Sequence, residues 1–349
     1  MADTKYTGRQ RIGAAFRQEE LDRVAAYPMS CPNNAWLLGM SLKEYGTDPK
    51  KMALAYTEYY NRFKPNLKPD VVVLFQDVFV EVEAMGVKIQ LRDEAEPVWL
   101  EAAVKKPEDV DKLQIPDPEK DGRMSVMLEC SRIVRRALGP DVGIGAVTLG
   151  PFSMCGALRG EEQLMMDLIE QPEMVHKMMK ICTEVQYLYG AALKKAGSSA
   201  SPSIPLSTLI SAKHHQEFVF PYLKDLAHRW KAIGVNTFYH ICGQSAHLLD
   251  QIADTGCWAI SVDENIDLGE AKRIINGRCV LTGNLDPIDT ISLHPERIRN
   301  EVQEACRKAM PGGKYILASG CEVPIGTPFE NIEAFMEAAW EYGKYPQSV

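Results

Sequence analysis

The sequence predicts an α/β fold, a closed (β/α)8 TIM barrel, on three observations. Short β-branched runs recur along all 349 residues, and each is followed by a Gly/Pro/Asn/Asp loop and then a stretch of helical period. Eight such runs are countable, the number that closes a parallel barrel. The Gly-rich turn that opens a dinucleotide-binding open sheet is absent, which weakens the doubly wound alternative.

In chain order, the runs begin with a weak candidate at 24–29, followed by VVVLF at 71–75 and VGIGAV at 142–147. A second weak candidate at 200–205 precedes VNTFYHI at 235–241, WAISV at 258–262, RCVLT at 278–282 and KYILA at 314–318. Amphipathic helices are expected over 211–233, 246–254, 295–309 and 329–342. No low-complexity tract or Ser/Gly linker divides the chain, so a single domain over 1–349 is expected.

Composition removes several function classes. With 39 Lys and Arg against 47 Asp and Glu, the net charge of −8 repels a phosphate backbone, so no nucleic-acid partner is expected. No run approaches the ~20 apolar residues of a membrane helix, and MADTKYTGRQRIG lacks the apolar core of a signal peptide. A cytoplasmic protein is the expectation. Nine cysteines, an odd count in a long chain, argue against a secreted disulfide framework and leave thiols free to bind metal.

Barrel enzymes place their chemistry where the strands end. At the end of the 235–241 run the chain reads FYHICGQ, so His240 and Cys242, two apart on extended backbone, share a side. Cys321 follows the last run in SGCEVPIGTP and falls at the same barrel edge. One imidazole and two thiolates suit Zn²⁺ with an open fourth position; the alternative is a backbone-bonded histidine beside two small buried hydrophobes. Cys130, Cys155, Cys182, Cys257, Cys279 and Cys306 lie inside regular runs and are read as core. The Met-rich helix LMMDLIEQPEMVHKMMKI is read as packing, and His214 and His215 as helix-surface or groove residues. Gly283 and Asn284 are read as a tight turn after a strand, a backbone need first and a cofactor-binding role second.

The pattern HICG, with GNLDP from Gly283 to Pro287 and SGCEVP..TP.ENI from Ser319 to Ile332, resembles the uroporphyrinogen decarboxylase superfamily, and within it the zinc-dependent corrinoid methyltransferases. FQDVFVEVEAMG, GPFSMCGAL and LISAKHHQEFVFPYLKDL extend the resemblance over nearly the whole chain. It implies a (β/α)8 barrel with an N-terminal extension and zinc held by His240, Cys242 and Cys321. It also implies a corrinoid (cobalamin) methyl carrier on a partner corrinoid protein. The substrate would be a small methyl donor or acceptor: a thiol such as coenzyme M, a methoxylated aromatic, a methylamine or a methyl halide. A homodimer is a further expectation.

Asp77 matches the segment in which the decarboxylases carry a substrate-binding Asp, and would orient substrate or cap the next helix. Asp263 or Glu264 would fill the fourth zinc position when substrate is absent, the alternative being a solvated acidic turn. The decarboxylases hold substrate carboxylates with an Arg-rich segment near the N-terminus, where this chain reads AAYPMSCPNN, and have Gly-His-Gly where this chain has Gly320, Cys321 and Glu322. Neither feature is present here, so porphyrinogen decarboxylation, the rival enzyme activity, is disfavoured. A non-catalytic partner of a corrinoid protein is the rival of another class.

Overall fold

The computed structural model describes residues 5–346. All eight expected strands form, and a two-stranded antiparallel hairpin is inserted among them. The strands are β1 (Ala25–Tyr27), β2 (Val71–Leu74), the hairpin strands β3 (Lys88–Gln90) and β4 (Val98–Glu101), β5 (Gly143–Leu149), β6 (Ser199–Ser203), β7 (Phe238–Ile241), β8 (Ala259–Val262), β9 (Val280–Leu285) and β10 (Tyr315–Ser319). The eight-stranded sheet runs β1-β10-β9-β8-β7-β6-β5-β2, with parallel neighbours throughout. Helices surround it, giving the nearly closed (β/α)8 barrel that the runs predict.

The remaining seam, between β1 and β2, is stitched by Asp70. Its backbone N–H donates to the Ala26 carbonyl at 2.9 Å, and its Oδ2 accepts from the Ala26 N–H at 2.8 Å. The same carboxylate takes Arg11 Nη1 at 3.0 Å and Arg23 Nη1 at 2.6 Å, all three side chains being buried. Arg11 is shared with Asp22, and the Arg23 guanidinium lies 4.7 Å from the Trp340 ring centroid. Two cations around one anion are balanced by this second carboxylate and the aromatic face.

Helix Gly8–Arg17 covers the N-terminal end of the barrel. Thr7 caps it through a capping box with Gln10, and its Ile12 packs on β5 so closely that a Cβ on Gly143 would come within 2.6 Å of Ile12 Cδ1. Glycine is required there for close approach. Between strands and helices lies the main core, which includes Leu74, Ile144, Tyr239, Ile260 and Leu317; a smaller cluster with Tyr27, Met29, Phe75 and Ile316 lies around the barrel interior.

Several boundaries differ from the expectations. The run 211–233 is two helices, Ala212–Phe218 and Phe220–Ala232, because Pro221 has no N–H for a continuous ladder and restricts the residue before it. Pro172 likewise starts a new helix, Pro172–Ala196, within the Met-rich segment. Gly283 and Asn284 do not form a turn: they lie inside β9, paired in register with Leu317 and Ala318. Among the described residues no helix is long and apolar enough to cross a membrane.

Replacing Asp70 by Ala leaves two buried guanidinium groups without their shared partner, and should cost about 3–5 kcal/mol in equilibrium denaturation. Glu81, in helix Val80–Ala84, is buried and accepts from Leu149 N at 2.9 Å and Gln186 Nε2 at 3.0 Å. Burial raises its carboxyl to about 7 against an ordinary value of 4.5. Between those values the folded chain holds a proton that the unfolded chain has lost, so this group makes stability fall as pH rises through that window. Glu81→Gln, which keeps both accepted bonds, should flatten the stability profile from pH 4.5 to 7, read from denaturation midpoints across that range.

Candidate metal centre

His240 is the third residue of β7, with its carbonyl held by Ile204 N at 2.8 Å, and Cys242 is the first residue past the strand. Extended backbone puts the two side chains on one side. Gly243, at φ +76°, then turns the chain away, and its N–H donates to Asp263 Oδ2 at 2.7 Å. Cys321 comes from the exit of β10. Ser319, fully buried, donates to the Cys321 carbonyl at 2.7 Å and accepts from Met29 N at 3.0 Å, tying that exit to β1. Gly320 passes so near the exit of β8 that a Cβ there would lie 2.6 Å from Glu264 N.

These placements bring together residues 79 positions apart. His240 Nε2 lies 2.9 Å from Cys242 Sγ and 3.8 Å from Cys321 Sγ, and the two sulfurs are 3.6 Å apart. The three ligand atoms all fall within 4.8 Å of one another. A disulfide, with a bond of about 2.05 Å, is not formed at that separation. Tetrahedral bonds of about 2.0–2.3 Å set ligand atoms about 3.5–3.8 Å apart, so the two longer contacts fit a shared divalent ion, and the hydrogen-bonded His240–Cys242 contact is tighter.

The protonation of the pair points the same way. The hydrogen bond from Cys242 holds the Cys321 thiol well below the ordinary thiol range against the opposing effect of burial, with His240 adding to the lowering. That contact, burial, and the charge of Cys321 push the Cys242 thiol up. Metal ligation requires deprotonated sulfur, and the lowered Cys321 thiol favours that form. His240 Nδ1 faces Ser261 Oγ at 3.0 Å, a contact that orients the ring so that Nε2 faces the two sulfurs.

The other candidate residues have distinct positions. Asp263 spends its carboxylate on the loops: Oδ2 accepts from Gly243 N, and Oδ1 from Asn265 N at 3.0 Å and Asn265 Nδ2 at 2.6 Å. Glu264 sits against Gly320 with a buried Oε2 that has no hydrogen-bond partner, and burial raises its carboxyl; it is not in the three-ligand group. Asn284 Nδ2 donates to the carbonyls of Asp263 at 2.8 Å and Ile266 at 2.6 Å, bracing the loop after β8, while Gly283 gives its carbonyl to the Tyr315 hydroxyl at 2.5 Å. Asp77 is ion-paired with Arg123 through both oxygens and caps its own loop by accepting from Phe79 N at 2.9 Å. Burial pushes the Glu322 carboxyl up to about 8.

Ser261, Ser319, Gly320 and Arg123 were not singled out by the sequence. A polar residue inside the apolar run WAISV was a usable signal for Ser261, which pairs in register with His240. Arg123 offered none, lying 46 residues from Asp77.

Comparison with known proteins follows the same line. The family model described as uroporphyrinogen decarboxylase (URO-D) matches residues 7–342. The chain is 26% identical over 347 residues to the methylcobamide:CoM methyltransferase MtbA of Methanosarcina acetivorans, covering 97% of this chain and 99% of that one. It is 28% identical over 353 residues to a uroporphyrinogen decarboxylase of Anaeromyxobacter dehalogenans, covering 95% and 99%. A solved methyltransferase from Methanosarcina mazei superimposes with a TM-score of 0.85 at 27% identity, covering 97% and 99%. The barrel, its rim motifs and the end-to-end match together mean that this chain belongs to the uroporphyrinogen decarboxylase family.

Proposed function

We propose that the protein is a corrinoid-dependent methyltransferase that holds zinc on His240, Cys242 and Cys321. It moves a methyl group between a corrinoid, carried by a separate corrinoid protein, and a small substrate. The observation that supports this most directly is the convergence of one imidazole nitrogen and two sulfurs within 4.8 Å at the strand C-termini. Full-length likeness to the methylcobamide:CoM methyltransferase MtbA supports the corrinoid half. The loop after β1 reads PMSCPNN, without an arginine to clamp porphyrinogen carboxylates, which disfavours decarboxylation.

Zinc on this donor set keeps a substrate thiol ionised at neutral pH, where a free thiol of pKa about 8.5 is mostly protonated. Cys242 and Cys321 bring two negative charges and neutral His240 none, so the protein cancels a divalent charge before substrate arrives. Ser261 fixes the imidazole from behind, and Ser319 fixes the loop of Cys321. Asp263 and Asn284 lock the exits of β7, β8 and β9 to one another, so the donors are held before binding. Exposed apolar side chains on the rim loops, among them Trp36, Leu209, Leu293 and Ile325, offer a contact surface to the corrinoid protein. A thiol such as coenzyme M, or a methylated O, N or S compound, is the small substrate.

Protein purified without chelator should contain about one zinc per chain by elemental analysis. Cys321→Ala should lose both the metal and turnover. Ser261→Ala should weaken zinc about 10–100-fold in competition with a chromogenic chelator. The methyl transfer itself is read from loss of the methylcobalamin absorption band on adding a panel of thiols, and in reverse from cob(I)alamin with methylated compounds. Decarboxylation of uroporphyrinogen by metal-free protein, without methyl transfer in either direction, would overturn the reading.

A further inference from the structure

Barrel interiors of this class are filled by layers of bulky side chains. In this chain the filling is incomplete. Towards the N-terminal ends of β5 and β6 the inward positions include Gly145, Ser199 and Ser201, and a Cβ built on Gly145 meets no atom within 4 Å. The space left on the barrel axis is a cavity of about 130 Å³. His240 and Ser261 line it, whereas Cys242 and Cys321 do not, so the hollow lies on the opposite side of the imidazole from the sulfurs. At its N-terminal end stand Phe16 and Trp258, whose ring centroids are 4.0 Å apart; Trp258 is 37% exposed, so this pair is the point of entry.

We propose that this cavity is a second binding site, which takes a small neutral molecule with a benzene-sized apolar body and one hydrogen-bonding group. Size sets the body: a dry cavity of about 150 Å³ accepts benzene. The walls set its polarity, since no Asp, Glu, Lys or Arg lines the space and Val73, Phe238 and Ile316 are typical of what does. A charged ligand would be desolvated there without a partner. The hydrogen-bonding group is set by Asn236, a half-buried residue that lines the cavity and can offer its side-chain amide to an occupant. An occupant packs against His240 and Ser261 and so supports the imidazole from below.

The probes are benzene and phenol, with benzoate and anilinium as charged comparators, added to the full-length protein. Benzene and phenol should raise the thermal midpoint saturably and shift tryptophan emission, and Trp258→Phe should abolish the emission shift while keeping the thermal shift. Gly145→Val, which fills the hollow, should raise the ligand-free midpoint and weaken both probes by about tenfold or more, equivalent to 1.4 kcal/mol. If that variant does not fold, Gly145→Ala should show a smaller loss in the same direction. Asn236→Ala should weaken phenol and spare benzene. The proposal is overturned by the absence of a saturable shift, by unchanged affinity in the Gly145 variant that folds, or by benzoate binding as well as phenol.

Discussion

Seven of the eight junctions around the barrel are backbone ladders, and the eighth, between β1 and β2, is made by Asp70. That single residue does three things at once: it replaces a ladder, anchors Arg11 and Arg23 through its carboxylate, and through its backbone carbonyl accepts from Gly143 N on the neighbouring strand at 2.9 Å. Closure matters to chemistry because β7 and β10 are three strand steps apart, about 14 Å along the sheet at about 4.8 Å per step. In a flat sheet residues at such a distance do not share a ligand. Once the ring is closed, their exits face each other across one mouth, and side chains of ordinary length span what remains.

How exactly those side chains meet is decided by small residues rather than by the ligands. β7 holds to β6 by one register pair, Ser203 with His240, so the histidine itself sits at the thinnest of the seven ladders. The bonds that steady it come from Ser261 behind the ring and Ile204 N on its carbonyl. On the other side Gly320 permits an approach to Glu264 that any Cβ would forbid, and Ser319 joins the exit of β10 to β1. Asp263 belongs to the same bracing: three N–H donors occupy its oxygens, which leaves Glu264, with its unpartnered oxygen, as the carboxylate there with capacity to spare.

The strands were legible because each buried parallel strand is a compact apolar run bounded by turn residues, and even the weak candidates at 24–29 and 200–205 contain β1 and most of β6. Their ends were less so. GNLDP reads as a turn by composition, yet ladder pairing to β10 carries β9 through Gly283 and Asn284, which local propensity cannot register. Pro221 and Pro172 were visible, and taking the missing N–H at face value would have split both helices correctly. His240 and Cys242 were legible as an i, i+2 pair. The partner of Asp77 was not, because a salt bridge across 46 residues depends on how two loops fold over each other.

The family holds proteins named for decarboxylation and for methyl transfer on what is evidently one scaffold, so the barrel alone cannot choose between them. The choice lies in which side chains the same exits present. A decarboxylase that grips several substrate carboxylates needs fixed cations at the mouth, because carboxylates brought out of water must be paired. Here the exits of β7 and β10 instead present an imidazole and two sulfurs, and Arg123, at the exit of β2, is already held by Asp77 and by Glu83 at 2.6 Å. The three donor atoms within 4.8 Å of one another at this mouth could hold a metal ion rather than grip acids. On the proposed reading, that cation is what converts a shared scaffold from holding acids to activating a sulfur.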